Sequence, residues 1–339
     1  MSIQVSVVVP TYKRPDLLRK CLNALIKQQF SPDAFEIIIV DDACSEETRE
    51  LVEEFSGLSY SRKAGAISGS GCEYSSCIQI RYVAAVETQS PAMARNIGWR
   101  MARGGIIAFT DDDCLPEPDW LKEGVSAFKD DLAGVSGQVV VPISKNPTDY
   151  ERTVSQLANC EFVTANCFYC RSVLEEVGGF DQQFTMAWRE DSDLQFKLLS
   201  RSYRLGCAPA ARVVHPVRPA PWGVSIKEQR KSMFDALLFK KYPAIYRRLI
   251  RSGPPLHYYG IILSTAVFFA ALLAGNKPLA LAMAILWAGL ILHFSLLRLR
   301  ETKRTPSHIL EMLCTSIVIP YLSIFWRLYG AYKFRVLFF

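Results

Sequence analysis

Glycine is missing where a phosphate-gripping chain needs it. The first apolar run, "VSVVVP" (Val5–Pro10), leads into "TYKRPD", and the junction holds no glycine. A loop that cradles phosphates with glycine backbone N–H groups is therefore excluded after the first strand. The later "GSGC" has Tyr74 where a dinucleotide fingerprint would place its third glycine, and no strand leads into it. Histidine is scarce, with four residues. Three of them (His257, His293 and His308) lie in or beside apolar segments and form no zinc motif. The ten cysteines are scattered. Cys72 and Cys77 have no second pair at zinc-like spacing, so the cysteines read as small buried hydrophobes rather than a disulfide or metal scaffold. Met1-Ser2-Ile3-Gln4 runs straight into a strand, so no secretory leader is expected. A net charge of +6 is too modest to argue for a nucleic-acid partner, and none is expected.

What is present falls into two regimes. Over residues 1–110, short β-branched runs alternate with segments of helical period. "FEIIIV", "IQIRYVAA" and "IIAFT" are strands after the first. Arg14–Gln29, Ser45–Phe55 and Ser90–Arg103 are helices, the second opened by a Ser45/Thr48 capping pattern. Continuous apolar strands between helices predict an α/β fold, a mostly parallel sheet with helices on both faces. Residues 57–79 are rich in Gly and Ser and read as a surface loop insertion.

The last third changes character. Neither 252–276 nor 278–297 contains an Asp, Glu, Lys or Arg. Each run meets the roughly 20 residues needed to cross a bilayer, and "GNKP" between them makes a hairpin. Both flanks are basic, which predicts cytoplasmic ends and a cytoplasmic catalytic domain on an inner or plasma membrane. Residues 226–251 read as a basic amphipathic linker helix. Met312–Trp326 is shorter, carries Pro320 and runs into aromatic and basic residues. It reads as an interfacial or re-entrant segment in preference to a third span.

Two strands end in acid. "FEIIIV" gives Asp41-Asp42 and "IIAFT" gives Asp111-Asp112-Asp113. Ligands of open parallel sheets bind beyond the carboxyl ends of the strands, so both clusters are expected to face one pocket. Clustered carboxylates are costly without a cation or donors. Asp-x-Asp at such an end can hold Mg2+ or Mn2+ while substrate phosphates fill the other positions. A solvated acidic turn or a helix N-cap is the plainer alternative. A third cluster, Glu190-Asp191-Ser192-Asp193, opens a helix. It either complements the helix dipole or supplies a general base.

These motifs, in this order, resemble family 2 glycosyltransferases with the GT-A fold. The match runs over residues 5–230 apart from the insertion. It is carried by "VVVPTYKRPDLLRKCLNAL", "IIIVDDACSEET", "SPAMARNIGWRMARGGIIAFTDDDC", "TANCFYCRSVLEEVGGFDQQF" and "WREDSDLQFKLLSRSYRLG". The resemblance implies a catalytic domain over 1–225, a nucleotide-sugar donor and a divalent metal. Asp41 would accept from the base, with Thr11, Tyr12, Arg14 and Arg95 about that site. Asp111 would lie toward the ribose with Asp112 beside it. Asp113, with Asp111, would hold the metal, and His215 either completes its shell or is structural. Asp191 would be the base of an inverting displacement. Asn166 and Glu190 would lie on the acceptor side.

Processive synthases of this family carry Gln-x-x-Arg-Trp after the base. The corresponding "KEQRKSMFDALLFKKYP" has no Trp after Arg230, so transfer of one sugar to a lipid or glycan at the bilayer is expected. Arg230 would approach the diphosphate or be a solvated charge. A nucleotidyl- or phosphotransferase using the same acidic pocket, and an inactive membrane scaffold, are the competing readings.

Overall fold

The computed structural model describes residues 3–64, 78–86, 90–129, 131–251 and 253–338, with backbone alone over 58–64. The chain divides into two compact units, one of residues 1–142 and 157–216, the other of 143–156 and 217–339.

The first unit opens with β1 (Val5–Thr11), α1 (Pro15–Leu25), β2 (Phe35–Asp41), α2 (Glu46–Ala64), β3 (Gln79–Ala84), α3 (Pro91–Arg100) and β4 (Ile106–Phe109). Pro15 and Pro91 start α1 and α3, where a missing N–H costs nothing. Ser45 Oγ accepts from the Thr48 N–H at 3.2 Å, the expected cap on α2. That helix runs on to Ala64, through the start of the predicted 57–79 loop. Residues 56–64 hold one glycine and no proline, which a helix tolerates. Residues 65–77, with Cys72, Cys77 and "GSGC", lie outside the described residues.

Next come β5 (Leu115–Pro116), α4 (Trp120–Ser126), β6 (Leu132–Val140), α5 (Asp149–Ser155, in the second unit), β7 (Cys167–Cys170), α6 (Arg171–Val177), α7 (Glu190–Ser200) and β8 (Arg204–Val214). The eight strands form one sheet in the order β3-β2-β1-β4-β7-β6-β8-β5. The first four are parallel, as the sequence implies. Beyond β4 the sheet is mixed. β7 runs antiparallel to β4 and β6, β8 parallel to β6, and β5 antiparallel to β8.

Alternation along β1 sends Val7 and Val9 to one face and Val8 to the other. The first face packs Leu18, Leu22 and Leu25 of α1, Val52 and Phe55 of α2, and Trp120 of α4. The second packs Ala94 and Trp99 of α3, Leu174 of α6 and Leu194 and Leu198 of α7. Both faces are therefore covered. The order 3-2-1-4 reverses direction beside β1, so the crevice between the ends of β1 and β4 is a topological switch point.

The second unit continues with α8 (Val224–Glu228), α9 (Met233–Lys241), α10 (Pro243–Leu249), α11 (Leu256–Leu273), α12 (Lys277–Leu299) and α13 (Pro306–Lys333). The single linker helix expected over 226–251 is instead three short helices. Pro243 forces Tyr242 out of the helical region, to φ −138° and ψ 63°. Residues 233–238 of α9 are buried, Asp235 among them, so this piece is not an amphipathic surface helix. Gly330 of α13 lies against the Met233 backbone, where a Cβ would not fit.

α11 and α12 form the predicted hairpin. Met312–Trp326 is not a separate re-entrant piece but the middle of α13, an unbroken helix of 28 residues through Pro320. At 1.5 Å per residue the three helices span about 27, 34 and 42 Å. All three are long and apolar enough to cross a membrane. Proline is tolerated inside such a helix because neighbours satisfy the freed carbonyl. At the end of α12, Arg298 donates to Asp149 (2.7 Å), Ser225 (3.1 Å), Thr315 (2.6 Å) and Ser316 (3.2 Å), so this predicted flanking charge is half-buried and engaged through both terminal nitrogens.

Candidate active site

The strand ends deliver the acidic groups side by side. Thr11 pairs with Asp41 across β1 and β2, and Val8 with Phe109 across β1 and β4. Thr110 and the aspartate triplet therefore emerge beside Thr11. The triplet then turns, the Cys114 N–H donating to the Asp111 carbonyl at 3.1 Å. This turn separates the three carboxylates.

Asp112 turns to the residues that follow β1. Thr11 Oγ1 donates to its Oδ2 at 2.8 Å and Arg14 to its Oδ1 at 3.2 Å. Burial pushes the Asp112 carboxyl up to about 6, against the pull of Arg14. Asp111 and Asp113 go the other way and gather with Cys114 and His215. One donor atom from each of these four lies within 4.8 Å of the others. His215 follows β8, fixed by its N–H to the Val140 carbonyl at 2.8 Å. Its Nε2 is 3.7 Å from Asp113 Oδ1, and its buried Nδ1 has no hydrogen-bond partner. Two carboxylates, an imidazole with an unused nitrogen and a thiol fit a divalent cation by chemistry and number.

Arg95 joins two motifs that are far apart in sequence. It is buried on α3 and donates to Asp111 Oδ1 at 2.7 Å and to Glu190 Oε1 at 3.0 Å. Burial works against charge on this guanidinium, but Asp111 and Glu190 outweigh it and hold the charge in place. Glu190, the first residue of α7, is pushed up to about 7 by burial and by Asp191, against Arg95. Its Oε2 and the Arg95 Nε are buried without partners. Arg95 thus joins the acidic triplet to the start of α7. Asp191 is half-buried next to Glu190, its Oδ1 accepting from the Ser192 N–H at 2.6 Å. Arg189 precedes α7 in the left-handed region, at φ 73°, and turns the chain into the helix.

The other predicted residues are placed as follows. Asp41 is buried and accepts from the N–H groups of Ala43 (2.9 Å) and Ser45 (2.7 Å) and from Tyr82 Oη (3.1 Å). A carboxylate has about four lone-pair positions; two are used to fix the 41–45 loop and a third ties it to Tyr82 of β3. Tyr12 is exposed beside Thr11, with Lys13 over its ring at 5.3 Å. Asn166 is fully buried. Its amide accepts from Trp120 Nε1 (2.8 Å) and donates to the Gln138 (2.9 Å) and Ala211 (2.8 Å) carbonyls. It clamps β6, β8 and α4 together. Arg230 belongs to the second unit and lies over the Trp326 ring at 5.7 Å.

Sequence reasoning missed Cys114, read only as a small hydrophobe; its one signal was adjacency to the triplet. It also missed Asn96, which binds the Phe180 N–H and carbonyl and so anchors "GGFDQQF" to α3. Gly179 of that motif has φ 69° and abuts Asn96 and Trp99, where a side chain would not fit.

An open α/β sheet with an Asp-x-Asp group at its switch point defines a nucleotide-sugar glycosyltransferase of GT-A fold, and the comparisons agree. Residues 6–181 match the family described as Glycosyl transferase family 2, and residues 106–330 match Glycosyl transferase family group 2. The chain belongs to glycosyl transferase family 2. Glycosyltransferase AglE of Haloferax volcanii is 27% identical over 240 residues, 66% of this chain and 70% of that protein. Chondroitin synthase of Escherichia coli is 24% identical over 72% of this chain, which spans only 39% of that synthase. The mannosyltransferase PcManGT of Pyrobaculum calidifontis, solved with GDP-Man and Mn2+, shares the fold. Its TM-score is 0.61 at 21% identity, covering 96% of this chain and 88% of that one.

Proposed function

We propose that this enzyme is a metal-dependent, inverting glycosyltransferase that moves one sugar from a nucleoside-diphosphate donor to a membrane-associated lipid or glycan. The observation that carries this reading is the Asp111–Arg95–Glu190 chain, which ties the acidic triplet to the helix start bearing Asp191. Thr11, Tyr12, Arg14, Asp41 and Asp112 would line the donor nucleotide. Asp111, Asp113 and His215 would hold Mg2+ or Mn2+, which when bound neutralises the diphosphate leaving group. PcManGT, of like fold, was solved with GDP-Man and Mn2+, and this supports the donor class and the metal.

Asp191 would take the proton from the acceptor hydroxyl as that oxygen bonds to the anomeric carbon and the bond to the diphosphate breaks. Glu190 and Asn166 would shape the acceptor side, Asn166 by positioning strands and Glu190 through Arg95. Three helices able to cross a bilayer support a membrane-borne acceptor. Their basic flanks support a cytoplasmic catalytic domain.

Donor hydrolysis followed by proton NMR tests the stereochemistry without knowledge of the acceptor. The first sugar released should have the anomeric configuration opposite to the donor. Release with the donor's own configuration would rule out a single displacement by an Asp191-activated nucleophile.

A further inference from the structure

Three of the four donors about the Asp-x-Asp group follow from the family resemblance. The fourth is the thiol of Cys114. Strand alternation would place residue 114 with Asp112, away from Asp111 and Asp113. The Asp111–Cys114 turn breaks that alternation. It brings the sulfur to within 4.8 Å of a carboxylate oxygen from each of the two aspartates and of an imidazole nitrogen of His215, while Asp112 is taken up by Thr11 and Arg14. Cys114 is fully buried, so the sulfur is shielded from solvent oxidants. His215, whose Nε2 stands 3.7 Å from Asp113 Oδ1, also carries a buried Nδ1 without a hydrogen-bond partner. Among the described residues this is the one such group of His, Cys, Asp and Glu side chains.

We propose that Cys114 is a ligand of the dication site and sets its metal preference. This inference rests on the reading of Asp111, Asp113 and His215 as that site. Carboxylate and water alone suit Mg2+ and Mn2+, whereas thiolate and imidazole favour softer cations such as Co2+, Zn2+ and Cd2+. Uptake of a soft cation forms a sulfur–metal bond and breaks the S–H bond, the proton passing to solvent. With Mg2+ the thiol keeps its proton and the oxygens carry the ion. One pocket therefore has two modes: a hard-ion mode on oxygens, and a tighter soft-ion mode that recruits Cys114.

The test is optical. The purified full chain in detergent, stripped with chelator, is titrated with Co2+. Wild type should develop sulfur-to-cobalt charge-transfer absorption in the near ultraviolet, saturating at one equivalent. Cys114→Ser should still bind Co2+, but without that band and about tenfold or more weaker, while Mg2+ affinity stays within about twofold. Cys114→Ala covers the case in which a buried serine hydroxyl unfolds the site. Co2+ bound by wild type without the sulfur band, or the band persisting in Cys114→Ser, overturns the role of Cys114. No uptake of Co2+ or Mn2+ by wild type, or uptake unchanged in Asp113→Asn, overturns the dication site itself and Cys114 with it.

Discussion

Asp191→Asn should lower the transfer rate by about two to four orders of magnitude, the usual worth of a positioned general base. It should leave affinity for a nucleoside diphosphate within about twofold of wild type. The two effects separate because the proposed roles do. Asp191 stands at the start of α7, with Oδ1 held by the Ser192 N–H at 2.6 Å. Thr11, Arg14 and Asp112, proposed to line the donor, hold one another without it. Asparagine keeps the shape and the Ser192 contact but cannot take a proton. Single-turnover rates and calorimetric titration of the diphosphate read the two quantities. A variant that transfers at the wild-type rate would remove Asp191 as the base.

Arg95→Ala should cost about 3 kcal/mol or more in stability, because breaking this ion-pair chain leaves the buried Glu190 without its counterion. Two carboxylates lose their counterion at once, Asp111 and Glu190, both within 3.0 Å of the guanidinium. The pH dependence has a definite sign. In the wild type the Glu190 carboxyl already stands at about 7, above its ordinary value of 4.5. A raised folded-state value means the folded protein holds a proton that the unfolded chain releases. Stability from this group is full below about 4.5 and is lost as pH rises through about 7. Without Arg95 the charged form is worse still. The gap between wild type and Arg95→Ala should therefore be widest above pH 7 and narrow toward pH 4.5. Thermal unfolding midpoints across that range read the gap, and a gap that widens on acidification would contradict the account.

The parts of the site legible in the sequence are those written in contiguous residues. "TDDDC" and "VDD" each follow an apolar strand, and the rule that ligands sit beyond strand ends placed them in one crevice. Their division of labour was partly legible too, since alternation sets Asp112 apart from Asp111 and Asp113. Arg95 was not legible in the same way. Its partner Glu190 lies 95 residues away, and no local pattern announces that pairing. Cys114 was hidden for a different reason: a turn overrode the strand period. The mixed half of the sheet was obscured by strands as short as the two residues of β5 and the four of β7, too few for a period to show. The third apolar helix was underestimated because Glu311 and Arg327 bound the uncharged run at 15 residues. Arg327 is nevertheless buried within the unit, so that charge does not end the helix.

On the proposed reading, Asp111 and Asp113 bind a nucleoside-diphosphate sugar through a dication. Calorimetric titration of a panel of nucleotide sugars into the full chain, with and without Mn2+, tests it most directly when Asp113→Asn is run alongside. Wild type should select one nucleotide base and bind it at least about tenfold tighter with Mn2+, a gain of about 1.4 kcal/mol, and Asp113→Asn should lose that gain. Binding of no nucleotide sugar by wild type, or the same Mn2+-dependent affinity in Asp113→Asn, would contradict the account.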